Sequence, residues 1–314
     1  MADRRLLALG GLLALVTALF LLWGVRAPYG FILSLRAEKL FALILVGAAT
    51  GAATVIFQTV AANRLLTPGI VGFDALFVFI QTGLVMALGG IGFSALPAMP
   101  KFLAEAACLT AAAMALFGTL FRKGAEDIIR MILTGVILGV LLRGLAGFAQ
   151  RLLEPSEFAV VQQASIASFN TVDDGQAGIA AAVLTLALLA AWRMAPALDA
   201  AALGRTKART LGLDHNRLVL AALGIVALLV SVSTALVGPV TFLGLLAASL
   251  AHAALRAHRH AVLIPAAALI GAAILVAGQT VFERVLGLQS ALAIVVEFAG
   301  GLLFLALVLR RQPA

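Results

Sequence analysis

Val230-Ser231-Val232-Ser233-Thr234-Ala235-Leu236-Val237-Gly238-Pro239-Val240-Thr241-Phe242-Leu243-Gly244-Leu245 decides the fold. Between Arg217 and Arg256 no residue carries a full charge, and that run is too long for one membrane crossing. Gly238-Pro239 breaks it in the middle. Proline has no amide hydrogen to donate and is accepted as the first residue of a new helix, so the run reads as helix, sharp break, helix. Before it comes a polar basic segment, Leu203-Gly204-Arg205-Thr206-Lys207-Ala208-Arg209-Thr210-Leu211-Gly212-Leu213.

The rest of the 314 residues agrees, being 63% hydrophobic and 11% charged. A soluble domain carries about 25% charged residues and has no way to hide this much apolar surface. The net charge of +8 does not indicate a nucleic-acid surface. The basic residues stand singly or in pairs at the ends of apolar runs, where they orient helices in a membrane. Cys108 is the sole cysteine, which excludes an internal disulfide, and its apolar surroundings predict a small buried side chain. Arg4 and Arg5 precede an apolar run, Leu6–Val25, long enough to span, so an uncleaved first helix is expected instead of a signal peptide.

The runs predict about ten spans: 6–25, 40–62, 72–95, 101–121, 127–150, 176–194, 217–237, 241–256, 261–280 and 289–310. The 241–256 element is short for a full crossing. The runs are continuous and do not alternate, which favours helices over barrel strands. The expected fold is therefore all-α, a polytopic membrane protein of about ten transmembrane helices, with one transmembrane domain over 1–314. An even number of spans puts both termini on one side. With that side cytoplasmic, Arg4, Arg5, Arg64, Arg122, Lys123, Arg205, Lys207, Arg209, Arg217, Arg256, Arg259, Arg310 and Arg311 lie inside. Arg26, Arg36, Lys39, Lys101, Arg151 and Arg284 lie outside, a majority consistent with the positive-inside rule. Residues 151–175 form an outer polar segment whose Glu154/Glu157 and Asp173-Asp174 pairs read as solvated charges. Gly47 with Gly51 and Gly135 with Gly139 stand at helix-packing spacing, and packing within the chain is expected.

Four ordered blocks resemble one family, the permease subunits of ATP-binding-cassette importers for iron–siderophore complexes, relatives of the vitamin B12 importer. The first is Leu35-Arg36-Ala37-Glu38-Lys39 leading into Leu45-Val46-Gly47, with Glu38 and Lys39 where the family commonly has Pro and Arg. The second, Gln58 to Asp74, is similar to the branch serving catecholate, petrobactin-type siderophores. The third is the Leu203–Leu213 segment. The fourth is Ser231–Leu246, followed here by Ala248-Ser249 where the broader family has Pro-His.

The resemblance implies a permease paired with an identical copy or a paralogue, fed by an extracytoplasmic siderophore-binding protein and driven by two cytoplasmic ATPases. No G-x-x-x-x-G-K-[ST] phosphate loop occurs in the chain, as expected of a transport subunit that is not itself an enzyme. Gly204, Arg205, Lys207, Ala208, Arg209, Leu211 and Gly212 are then the candidate ATPase-coupling element. In it Ala208 would permit close contact and Leu211 would anchor. Arg36, Lys39 and Arg284 are candidate contacts for the binding protein, where opposite charges steer docking.

No catalytic set, cofactor or metal site is expected. His215, His252, His258 and His260 read as dispersed loop-end residues. Asp74, Glu105, Arg143 and Glu297 fall in or beside spans, where ionisable groups are costly. Asp74 is expected at a cytoplasmic helix N-terminus. The rival reading is a proton- or sodium-coupled transporter using Asp74 or Glu297 as a relay. It would call for paired interrupted helices, and only Gly238-Pro239 is visible as an interruption.

Overall fold

The computed structural model describes residues 2–25, 27–122, 128–170, 172–255, 257–287 and 292–310. Arg26, Lys123, Arg256 and Arg311, counted above for topology, lie outside them. The described chain is helical: α1 (Ala2–Leu22), α2 (Tyr29–Val60), α3 (Phe73–Ser94), α4 (Ala98–Arg122), α5 (Ile128–Gln150), α6 (Pro155–Ala164) and α7 (Asp174–Arg193). After these come α8 (Ala195–Ala201), α9 (Arg205–Thr210), α10 (His215–Val237), α11 (Leu243–Leu255), α12 (His260–Arg284) and α13 (Leu292–Arg310). Eight of the described helices are long and apolar enough to cross a membrane. The shorter apolar helices α11 and α13 complete the expected set of about ten. At 13 residues α11 rises only about 20 Å, short of a hydrocarbon core of about 30 Å.

The bundle is built around α2 and α12, which pack antiparallel. Going up α2, Gly47 meets Gly271 and Ala272, then Gly51 meets Ala267. With only hydrogens at these positions the two backbones touch. A Cβ on Gly51 would sit 2.2 Å from the Ala267 carbonyl oxygen, and one on Gly47 would sit 2.6 Å from the backbone of Ala272. In lipid this close approach replaces the hydrophobic drive that water supplies to soluble helices. The spacing noted in the sequence thus serves packing within the chain. Gly135 and Gly139 do the same for α5, against Val71 and Gly72.

The second span starts much earlier than its apolar run. Arg36, Glu38 and Lys39 lie inside α2, whose 32 residues begin at Tyr29. Two of these charges are accepted in a helix because neighbours neutralise them. The Arg36 guanidinium donates to the carbonyls of Leu21 (2.6 Å), Trp23 (3.0 Å) and Gly24 (3.2 Å) at the end of α1. Lys39 Nζ lies 2.6 Å from Glu283 on α12. Arg5 does for α11 what Arg36 does for α1, donating to Ala254 (2.8 Å) and Leu255 (3.1 Å). In both cases a cation satisfies carbonyls left open at a helix C-terminus.

The polar segments are also more ordered than expected. Glu157 accepts the Glu154 amide at 3.3 Å and Asp173 accepts that of Gly175 at 3.1 Å, so these acids cap α6 and α7. Cys108 is exposed, a correction with a simple cause. On α4, Phe102, Glu105, Leu109 and Ala113 take the inner face, and this turns position 108 outward.

The glycine seam makes a definite prediction. Gly51→Ala should cost about 2 kcal/mol by forcing α2 from α12, read as a lowered thermal midpoint in detergent. Gly178→Ala on α7, where a Cβ meets open space, should leave the midpoint unchanged.

Candidate functional site

The basic segment forms the expected short helix, α9, at one end of the bundle. Gly204 (φ +95°) and Gly212 (φ +83°) occupy left-handed conformations at its two ends, where other residues are strained. Lys207 and Arg209 are exposed and Arg205 is half-buried. Leu203 and Leu211 are 56% and 62% exposed, two apolar side chains standing proud on either side of the cations. Ala208 departs from expectation. It is fully buried, so its small size lets α9 lie down on its own chain and offers nothing to a partner. Leu203 was not singled out in the sequence, where a leucine beside a glycine carries no distinguishing mark.

A short path joins α9 to the bundle. The carbonyl oxygens of Ala201 and Ala200 accept the amides of Gly204 (2.9 Å) and Leu203 (3.2 Å), which closes a tight link between α8 and α9. On α8, Asp199 Oδ1 lies 2.7 Å from the His260 amide and 2.6 Å from its Nδ1. His260 Nε2 lies 2.6 Å from the Thr59 hydroxyl. The chain Asp199–His260–Thr59 therefore ties α8 to the first residue of α12 and the end of α2. His260 is not alone there. All four histidines of the chain, read above as dispersed, line one cavity of about 730 Å³ beside α9. Sequence distance concealed this, because α10, α11 and α12 all have an end at this level.

At the opposite end of α2 and α12, Arg36, Lys39 and Arg284 line a second cavity, of about 830 Å³, together with Glu283. The structure brings the three candidates together, but it does not present them as free charges. Arg36 is only 8% exposed and is committed to α1. Glu283 holds Lys39 and also lies 3.7 Å from Arg284, and it accepts from Gln279 at 2.7 Å. Lys39 and Arg284 each keep 23% of their side chains exposed toward the cavity.

The interruption at Gly238-Pro239 is broader than one turn. Gly238 has φ +98°, and a Cβ there would meet the Ala167 backbone at 2.9 Å, so both conformation and space demand glycine. The next helix begins at Leu243, not at Pro239. Backbone left unpaired by such a break survives in a membrane only when enclosed by protein. Here the Ser168 amide satisfies the Val237 carbonyl at 2.7 Å.

A second interruption went unnoticed in the sequence. Residues 61–72 fold back from the end of α2, and α3 starts beside Val46, Thr50 and Thr54, halfway along that helix. Asp74 is at a helix N-terminus as expected, but its depth is mid-bundle, not the margin. The two interruptions meet there. The Thr241 hydroxyl donates to Asp74 Oδ2 at 2.5 Å and lies 3.5 Å from Glu297 Oε1. Elsewhere Gln81 donates to Glu105 at 2.9 Å, and Arg143 is exposed.

The fold is that of a polytopic, all-helical transporter with an amphipathic element lying across one end. A family description matches residues 7–310, and the chain belongs to the FecCD transport family. It is 35% identical over 312 residues to the petrobactin import system permease protein YclO of Bacillus subtilis (strain 168), covering 99% of each chain. It is 29% identical over 277 residues to the petrobactin import system permease protein FatC of Bacillus anthracis, covering 88% of this chain and 78% of that one. Among solved structures, a metal-chelate type ABC transporter in an inward-facing conformation superposes with a TM-score of 0.81 at 21% identity. The match covers 98% of this chain and 99% of that one, and it supports the fold.

Arg36 and Lys39 should separate in experiment. Arg36→Gln should lower stability by about 3 kcal/mol, because several carbonyls lose a charged donor at a buried site. Lys39→Gln should leave the folded state nearly intact. Parallel melting curves of the two variants check this, and equal losses would contradict the account of Arg36.

Proposed function

We propose that the chain is the permease subunit of an ATP-binding-cassette importer that moves ferric siderophore, of the petrobactin or catecholate class, across the cytoplasmic membrane. The observation that carries this reading is the end-to-end likeness to a petrobactin import permease, joined to an α9 that stands exposed at one end of the bundle. ATP is hydrolysed on separate cytoplasmic subunits. They grip α9 through Leu203 and Leu211, with Lys207 and Arg209 opposite acidic groups. Arg205, half-buried, sets the helix against the bundle.

The end bearing α9 faces the cytoplasm together with both termini. Arg5 supports this orientation, since it holds the start of α1 against the end of α11 and so puts it at that level. A second permease, identical or paralogous, covers part of the apolar outer surface, where α5 exposes Ile137 and Val140 and α13 exposes Phe298 and Leu302. Lipid covers the rest. An extracytoplasmic binding protein docks over the Lys39–Glu283–Arg284 cavity, and its carboxylates compete with Glu283 for the two cations. Arg36 holds the rim of that cavity in shape and touches no partner. The chelator holds the iron, so the permease supplies no ligands to it.

Reconstitution with the ATPases and binding protein tests the reading. Ferric-siderophore uptake into vesicles should require ATP and survive collapse of the proton gradient; the opposite pattern would overturn it. Lys207→Glu/Arg209→Glu should cut ATP-driven uptake about tenfold or more while leaving the melting curve unchanged, because both side chains are solvent-exposed.

A further inference from the structure

We propose that the cavity beside α9 is a binding site for a phosphate group, carried by an anionic lipid or free in solution. The inference concerns charge and space at one end of the bundle and does not depend on the transported substrate.

Arg64, Arg205 and Arg259 line the cavity along with the histidines, and Asp199 is the only carboxylate among its lining residues. That carboxylate is already spent on His260, through both the backbone amide and the ring. The arginines are therefore left without an acid among the cavity's lining residues, and Arg64 and Arg259 are solvent-exposed. Two long helices, α10 and α12, also end here with their N-termini, the positive ends of their backbone dipoles. An uncompensated cluster of this kind attracts an anion.

The second observation is His215. It is 8% exposed, it lines the cavity, and its Nδ1 has no hydrogen-bond partner. A buried polar atom without a partner costs free energy that a ligand oxygen would recover.

The chemistry selects among ligands. No three His, Cys, Asp or Glu side chains converge to hold a metal among the described residues, and three arginines repel a cation. Arginine forks match the paired oxygens of phosphate. At about 730 Å³ the space admits a phosphate ester with part of its glycerol, which fits the way basic pockets between membrane helices hold lipid headgroups. Trp192 stands on the same level. It is 53% exposed and donates to the Ala261 carbonyl at 3.2 Å, as an aromatic residue does at the headgroup layer.

The full chain in nanodiscs of phosphatidylcholine provides the test, without ATPases or substrate. Two probes are compared: inorganic phosphate titrated into solution, and phosphatidylglycerol introduced into the discs. Phosphorus NMR line broadening and the thermal midpoint are read. Saturable binding of at least one probe is expected, weakened by added salt. Arg64→Gln/Arg259→Gln should weaken it about tenfold or more, each lost charge-assisted contact being large on that scale. Arg151→Gln, outside the cavity, should bind as the parent does. Saturation by phosphate alone would assign the site to a soluble ligand, and saturation by phosphatidylglycerol alone to a headgroup; either supports the site. Because Arg64 and Arg259 are exposed, the double variant should melt as the parent does without probe, and Arg259→Gln alone gives the same reading should the double variant misfold. No saturable binding of either probe, or equal affinity in parent and variant, overturns the proposal. ATP-driven uptake is not part of the measurement, so a failure here leaves the importer reading standing.

Discussion

Backbone contact between α2 and α12 is the constraint on which the other features rest. Gly47 against Gly271 and Gly51 against Ala267 fix both the distance and the register of an antiparallel pair. Once that register is set, Lys39 must fall beside Glu283 at one end and Thr59 beside His260 at the other. The two large cavities are consequences of the same geometry. They lie at opposite ends of the pair, where neighbouring helices stop and the long helices continue.

The remaining polar groups follow one rule, that charge is admitted where a specific partner removes its cost. Arg36 closes the end of α1 and Arg5 closes the end of α11, each placing a cation on orphan carbonyls. At mid-depth the rule is applied to backbone. The broken segments around Gly238 and Pro68 are enclosed by α2, α3 and α10, and the Thr241–Asp74 hydrogen bond joins them. A membrane bundle tolerates irregular chain only in such enclosed places.

This explains which features could be read from the sequence. Hydropathy located nearly every span, because lipid demands long apolar runs whatever the tertiary structure. The α9 helix was also legible, since Gly204 and Gly212 bracket a segment too polar for the membrane. The start of α2 was not, because Arg36 and Lys39 look like an outer loop until their partners on α1 and α12 are known. The depth of Asp74 was hidden for a related reason: residues 61–72 resemble an ordinary loop, and only packing against the middle of α2 turns them back into the bundle. The histidines needed the same information. His215 and His258 are far apart in sequence, and helix ends bring them to one cavity.

The position of α9 gains meaning from what it is attached to. A short helix on a flexible loop would absorb a push from a partner. Here its first residues are bonded back to α8 through Ala201 and Ala200, and Ala208 is buried beneath it. From α8 the path runs through Asp199 and His260 to Thr59, each step a polar contact of 2.6 or 2.7 Å. Beyond Thr59 lies α2 itself, locked to α12 by glycines that leave no slack. Close-packed helices cannot deform gradually, so they move as units or not at all. A displacement imposed on α9 is therefore delivered to the pair that also carries Lys39 and Glu283 at its far end. One rigid element thus reaches both cavities, and neither end of the bundle is mechanically independent of the other.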